Sequence, residues 1–93
     1  EKLDERLGHD ADSYYYMAVA HEAMGNMNEA MEFADLALAE DPSRSDAARI
    51  HLIVGEMHMQ QGNMSEARAH LEQARYGDAR ARAEALLEQV GTQ

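Results

Sequence analysis

The sequence predicts an all-α fold of stacked helical hairpins, and three observations carry the prediction. The six residues Gly25 to Ala30 (Gly-Asn-Met-Asn-Glu-Ala) return 37 residues later as Gly62 to Ala67 (Gly-Asn-Met-Ser-Glu-Ala). A period of that length belongs to arrays of helical hairpins rather than to coiled coils or collagen. Apolar and small residues recur at helical spacing on both sides of each copy. No stretch alternates polar and apolar residues as a half-buried strand does.

Each element follows in order from the residues. Glu1 to Gly8 places Leu3 and Leu7 one turn apart before a glycine, and reads as the end of a helix continued from an earlier unit. Asp10 to Ser13 supplies helix-start chemistry. Tyr14, Met17, Ala18, His21 and Gly25 then form one stripe. Gly25-Asn26 stops the helix, because glycine accepts positive φ. Asn28 is the expected cap of a second helix, which turns Ala30, Phe33, Ala34, Ala37 and Leu38 inward. Asp41-Pro42 closes it, since the residue before proline is pushed out of the α region. Helices joined by so short a turn run antiparallel.

The second unit repeats the plan. Ser45 or Asp46 caps a third helix whose stripe is His51, Val54, Gly55, His58 and Gly62, thickened by Ile50, Ile53 and Met57. Gly62-Asn63 turns the chain, Ser65 caps a fourth helix, and Ala67, Leu71 and Ala74 face inward. Gly77 ends that helix and Asp78 caps a fifth, with Ala79, Ala83, Leu86, Leu87 and Val90 on its apolar face. The organisation expected is one domain: a truncated helix end at 1–8, repeats at 11–44 and 45–77, and a closing helix at 78–90.

Composition narrows the chemistry. The chain has 93 residues, no cysteine, no tryptophan and a net charge of -10. Disulfides and thiolate metal sites are excluded, and the compartment stays open. No apolar run is long enough to cross a bilayer. The charge is uneven: 11 acids against Lys2 and Arg6 up to Pro42, then 7 acids against 6 arginines. An acidic first half disfavours nucleic acid and anionic membranes and favours basic partners. Arg75, Arg80 and Arg82 make only a small basic patch.

This pattern resembles the tetratricopeptide repeat, a helix-turn-helix unit of about 34 residues. Tyr14 stands at the family's aromatic position, Met17 and Val54 at its leucine, and Ala18 and Gly55 at its Gly or Ala. Ala30 and Ala67, then Ala37 and Ala74, match its small positions, and Asp41-Pro42 matches its closing proline. Small residues there let paired helices approach closely. The chain departs from the family at His51, at His21 and His58 where tyrosine is common, and at Ala34. The second unit also lacks the closing proline, and the link between units is three residues longer than usual.

The resemblance implies a right-handed α-solenoid and a role as a protein-interaction scaffold, with a peptide or helix held along the first helix of each hairpin. The contact residues it implies are Asp12, Tyr15, Val19, Glu22 and Ala23, then Arg49, Leu52, Glu56, Met59 and Gln60. Carboxylates at Glu22 and Glu56 beside apolar Val19, Leu52 and Met59 suit a basic or amphipathic partner. The carboxylate grip of the family's chaperone-binding members is not expected, since Tyr15, Val19, Leu52 and Glu56 occupy its positions. The alternative function is self-assembly, as a homodimer formed through an exposed end face, suggested by the truncated helix at Glu1 to Gly8 and the apolar face of the last helix.

No catalytic, cofactor or metal site is expected. There is no glycine-rich phosphate loop, no Gly-x-Ser-x-Gly and no His-Glu-x-x-His. Carboxylate pairs fit solvated helix faces. His51 and His58 lie two turns apart on one face, too far for one metal without a third element, and read as half-buried repeat residues. The seven methionines, among them Met24, Met27 and Met31 at i, i+3 and i+7, read chiefly as core filling.

Overall fold

A computed structural model describes residues 11–91 of the chain. The helix end expected at Glu1–Gly8 and the start signal at Asp10 lie outside the described residues. Among those residues there are five α-helices and no strand: α1 (Ala11–Ala23), α2 (Met27–Ala39), α3 (Arg44–Gln60), α4 (Met64–Gln73) and α5 (Arg80–Gly91). A 3-10 turn (Gly77–Ala79) precedes α5. The chain divides into two compact units, one ending at Pro42 and the other opening at Ser43.

In the first unit α1 doubles back on α2. Tyr14 and Ala18 on α1 and Ala30, Ala34 and Ala37 on α2 are buried. An alanine-lined seam lets the two backbones approach closely. The half-buried Phe33 ring stacks between Tyr14, at 6.2 Å between centroids, and His21, at 5.3 Å.

The repeated hexapeptide forms the same turn twice. Gly25 and Gly62 have φ of 84° and 82°. Asn26 N–H donates to the His21 carbonyl at 2.8 Å and Gly25 N–H to Glu22 at 3.0 Å. Asn63 donates to His58 at 2.8 Å and Gly62 to Met59 at 3.1 Å. These are the paired bonds of a Schellman cap, which needs a left-handed residue at the glycine. Asp41, before Pro42, also takes a left-handed φ of 56°, a conformation aspartate tolerates better than most residues.

In the second unit α3 packs on α4, and α5 packs on both. Ile50, Met57 and Leu71 are its largest fully buried side chains. Ala67 and Leu71 of α4 join Leu86 and Val90 of α5 in one apolar cluster, with Leu52, Met59, Met64 and Leu87 against it. A Cβ added to Gly55 would lie 2.8 Å from the Leu71 Cγ, so the small residue there sets how closely α3 approaches α4.

The caps differ from the sequence expectation. Asn26 and Asn63, rather than Asn28 and Ser65, precede the first helical residues of α2 and α4. Neither asparagine caps with its side chain; each instead lies 3.4 Å from the Nδ1 of the preceding histidine, His21 or His58. The cap of α3 is Ser43, whose Oγ accepts the Asp46 N–H at 3.2 Å, and not Ser45 or Asp46. The fourth helix ends at Gln73, ahead of Gly77. Asp78 lies inside the 3-10 turn and accepts from Arg49 Nη2 at 2.9 Å instead of capping α5. The Arg44 guanidinium lies 4.4 Å above the Tyr76 ring, so a cation–π contact fastens the same link.

Candidate interaction surface

The residues expected to contact a partner lie on α1 and α3, and each unit presents its own set. On α1, Asp12 and Val19 are exposed, while Tyr15 and Glu22 are half-buried. The Tyr15 ring meets Tyr16 edge-on at 5.6 Å. Ala23 is exposed as well. Helical spacing puts Asp12, Tyr15, Val19, Glu22 and Ala23 along one side of α1.

On α3 the set is brought together and joined by a neighbour the sequence reading missed. Leu52 and Met59 pack against the cluster containing Leu86 and Val90. Between them Glu56 accepts from Arg82 Nε of α5 at 3.1 Å. Glu56, Met59, Gln60, Arg82 and Leu86 line a shallow depression of about 210 Å³. Arg49 is held by Asp46 at 3.1 Å and by Asp78 at 2.9 Å. The last helix therefore lies along the contact strip of α3, pairing its one carboxylate and packing against Leu52 and Met59, which stay half-buried. Amphipathic spacing in the fifth helix showed that it would pack; which helix face it would meet was not readable from spacing.

Other arginines are tied up in the same way. Arg75 pairs with Glu72 at 3.2 Å and with Glu84 at 3.6 Å, and Arg80 with Glu84 at 3.0 Å. The Arg80 hydrogen bond, followed by the Arg80 and Arg75 charges, holds the Glu84 carboxyl below its ordinary value. The small basic patch is thus largely neutralised by its own neighbours.

The structure revises the reading of the methionines. Only Met57 is fully buried; Met17, Met27, Met31, Met59 and Met64 are half-buried, and Met24 is 63% exposed. Tyr16, 68% exposed, and Leu36 are further large apolar side chains at the surface of the first unit that the sequence reading did not single out. Among the described residues no group of three or more His, Asp or Glu side chains is arranged to hold a metal ion. No helix among them is long and apolar enough to cross a membrane.

Residues 11–44 match the family model of the tetratricopeptide repeat. The first hairpin is a tetratricopeptide repeat. Searches of curated proteins and of solved structures return no match to the chain. The second hairpin repeats the tetratricopeptide plan at the same offset, with the Schellman turn at Gly62 and buried Ala67 and Ala74 answering Gly25, Ala30 and Ala37. Tetratricopeptide repeats are non-catalytic units that mediate protein–protein interaction.

The apolar face of the last helix, one of the two features that suggested self-assembly, is buried within the second unit. Ala83, Leu86 and Val90 of α5 are buried, with Leu86 and Val90 packed on Ala67 and Leu71 of α4. That apolar face is already used inside the second unit.

Proposed function

We propose that the chain is an adaptor-type interaction module that binds a peptide or helix of basic character along the first helices of its tetratricopeptide hairpins. One observation carries the basic preference: between Ala11 and Pro42 there are seven carboxylates and neither lysine nor arginine. The same unit exposes Tyr16, Val19, Met24 and Leu36, so apolar anchors stand among carboxylates. Apolar contacts would supply most of the affinity, and the carboxylates would select and steer a cationic partner. Asp12, Tyr15, Val19 and Glu22 are the contact residues on α1.

On α3 the contact residues are Leu52, Glu56 and Met59. Arg82 already gives Glu56 a guanidinium, and both members of that pair keep contact with solvent. Such a pair is worth about 0–1 kcal/mol, so a partner's arginine exchanges with Arg82 at little cost.

Selection from a random peptide-display library tests the proposal. The expected result is enrichment of peptides with Lys or Arg beside apolar residues, bound about tenfold more weakly by the Glu22→Lys, Glu56→Lys variant. Enrichment with no basic bias, or equal binding by the folded variant, would sink it.

A further inference from the structure

The two hairpins hold the same three-ring cluster in different chemistry. Tyr14, His21 and Phe33 in the first unit correspond to His51, His58 and His70 in the second, each 37 positions on. The ring contacts repeat too. Phe33 stacks on His21 at 5.3 Å as His70 stacks on His58 at 5.6 Å. Tyr14 and Phe33 lie 6.2 Å apart, and His51 and His70 lie 5.2 Å apart. An apolar ring contact between paired helices has been replaced by a contact between imidazoles.

That replacement constrains protonation. His51 Nδ1 and His70 Nδ1 are 3.0 Å apart, a hydrogen bond in which one nitrogen donates and the other accepts. One ring must therefore keep an unprotonated Nδ1. The pair can share a single proton; a second sets two N–H donors head to head and two like charges in contact. His58 adds a third titratable ring beside His70. From α4, Glu66 faces the cluster with its carboxylate 3.7 Å from His58 Nδ1, so His58 has a counter-charge. The other charged α3 side chains near this span, Arg49 and Glu56, pair with Asp78 and Arg82.

We infer that the second hairpin is an acid-sensitive copy of the first: as pH falls below neutral, the His51–His70 contact takes up protons and α3 loosens from α4, while α1 and α2 stay paired. Burial, and secondarily the neighbouring His70, hold the His51 imidazole below its ordinary 6.5. A group depressed in the folded state contributes its stability in full above 6.5 and loses it as pH falls through the window beneath. For each proton linked to opening, the opening equilibrium rises by up to about tenfold per pH unit in that window. In the first hairpin the corresponding contact sets His21 on Phe33 rather than on another imidazole.

Hydrogen exchange on the full chain at pH 7.5 and pH 5.0, corrected for the intrinsic pH dependence of exchange, tests the inference. The control is the His51→Tyr, His70→Phe variant, which gives the second hairpin the rings of the first. Amides of α3 and α4 in the wild type should lose at least tenfold protection at pH 5.0 relative to the same amides in the variant. Equal losses in the two proteins would overturn the inference. Should the variant fail to fold, imidazole titration of the wild type by NMR decides: His51 titrating below 6.5 and coupled to His70 supports it, and two independent, ordinary titrations overturn it.

Discussion

Single residues decide how closely the helices of the second unit approach. Gly55 is the sharpest case, because a Cβ there would lie 2.8 Å from both Cγ and Cδ2 of the buried Leu71 and 3.3 Å from the Ala67 carbonyl oxygen. Two effects oppose each other. Replacing a helical glycine gains about 1 kcal/mol of helix propensity, while overpacking a filled seam costs about 1–3 kcal/mol. Alanine leaves these terms near balance; valine adds volume and β-branching and tips them. Gly55→Val should destabilise the second hairpin by about 2 kcal/mol, read from the urea midpoint. Leu71→Ala, which empties the same seam, should cost about 2–5 kcal/mol.

Among the elements, the five helices obtain their ends by different means, and the difference is measurable. Ser43 caps α3 through its hydroxyl, so Ser43→Ala should cost about 1 kcal/mol. Asn26 and Asn63 stand at the equivalent place before α2 and α4 without using their side chains as caps. Their alanine variants should cost less than Ser43→Ala, and a ranking in the reverse order would contradict this account of the caps. The side chains are diverted because the Schellman turn leaves no spare residue between helices, and the asparagine amide points back to the histidine of the helix just ended.

Over the whole molecule, the acidic charge is concentrated in the first unit, whereas the arginines of the second are largely spent on internal pairs. That division concentrates negative charge in the first unit while the second unit spends its charges on holding its own helices. The last helix is part of the second unit's core: Leu86 and Val90 cover Ala67 and Leu71. Burying two such side chains is worth about 3–6 kcal/mol, comparable to the stability of a small domain. A chain ended at Gly77 should therefore lose the protection of α3 and α4 amides in hydrogen exchange, and retained protection would refute this role for α5.

Much of this was determined by the sequence alone: the all-α class, the tetratricopeptide pattern, both turns, the buried small residues and the apolar face of α5. These are local or periodic properties, set by glycine's backbone freedom and by the 3.6-residue helical repeat, and they need no knowledge of what lies opposite. Helix caps were misplaced by about two residues because asparagine and serine signal a helix start without saying which of several neighbours will serve. Only the tertiary structure decided which residues meet across helices. Arg82 reaches Glu56, Asp78 holds Arg49, and His70 supplies the element that joins His51 to His58. Those pairings depend on the rotation of one helix against another, a quantity that side-chain packing sets and that periodicity along one helix does not contain.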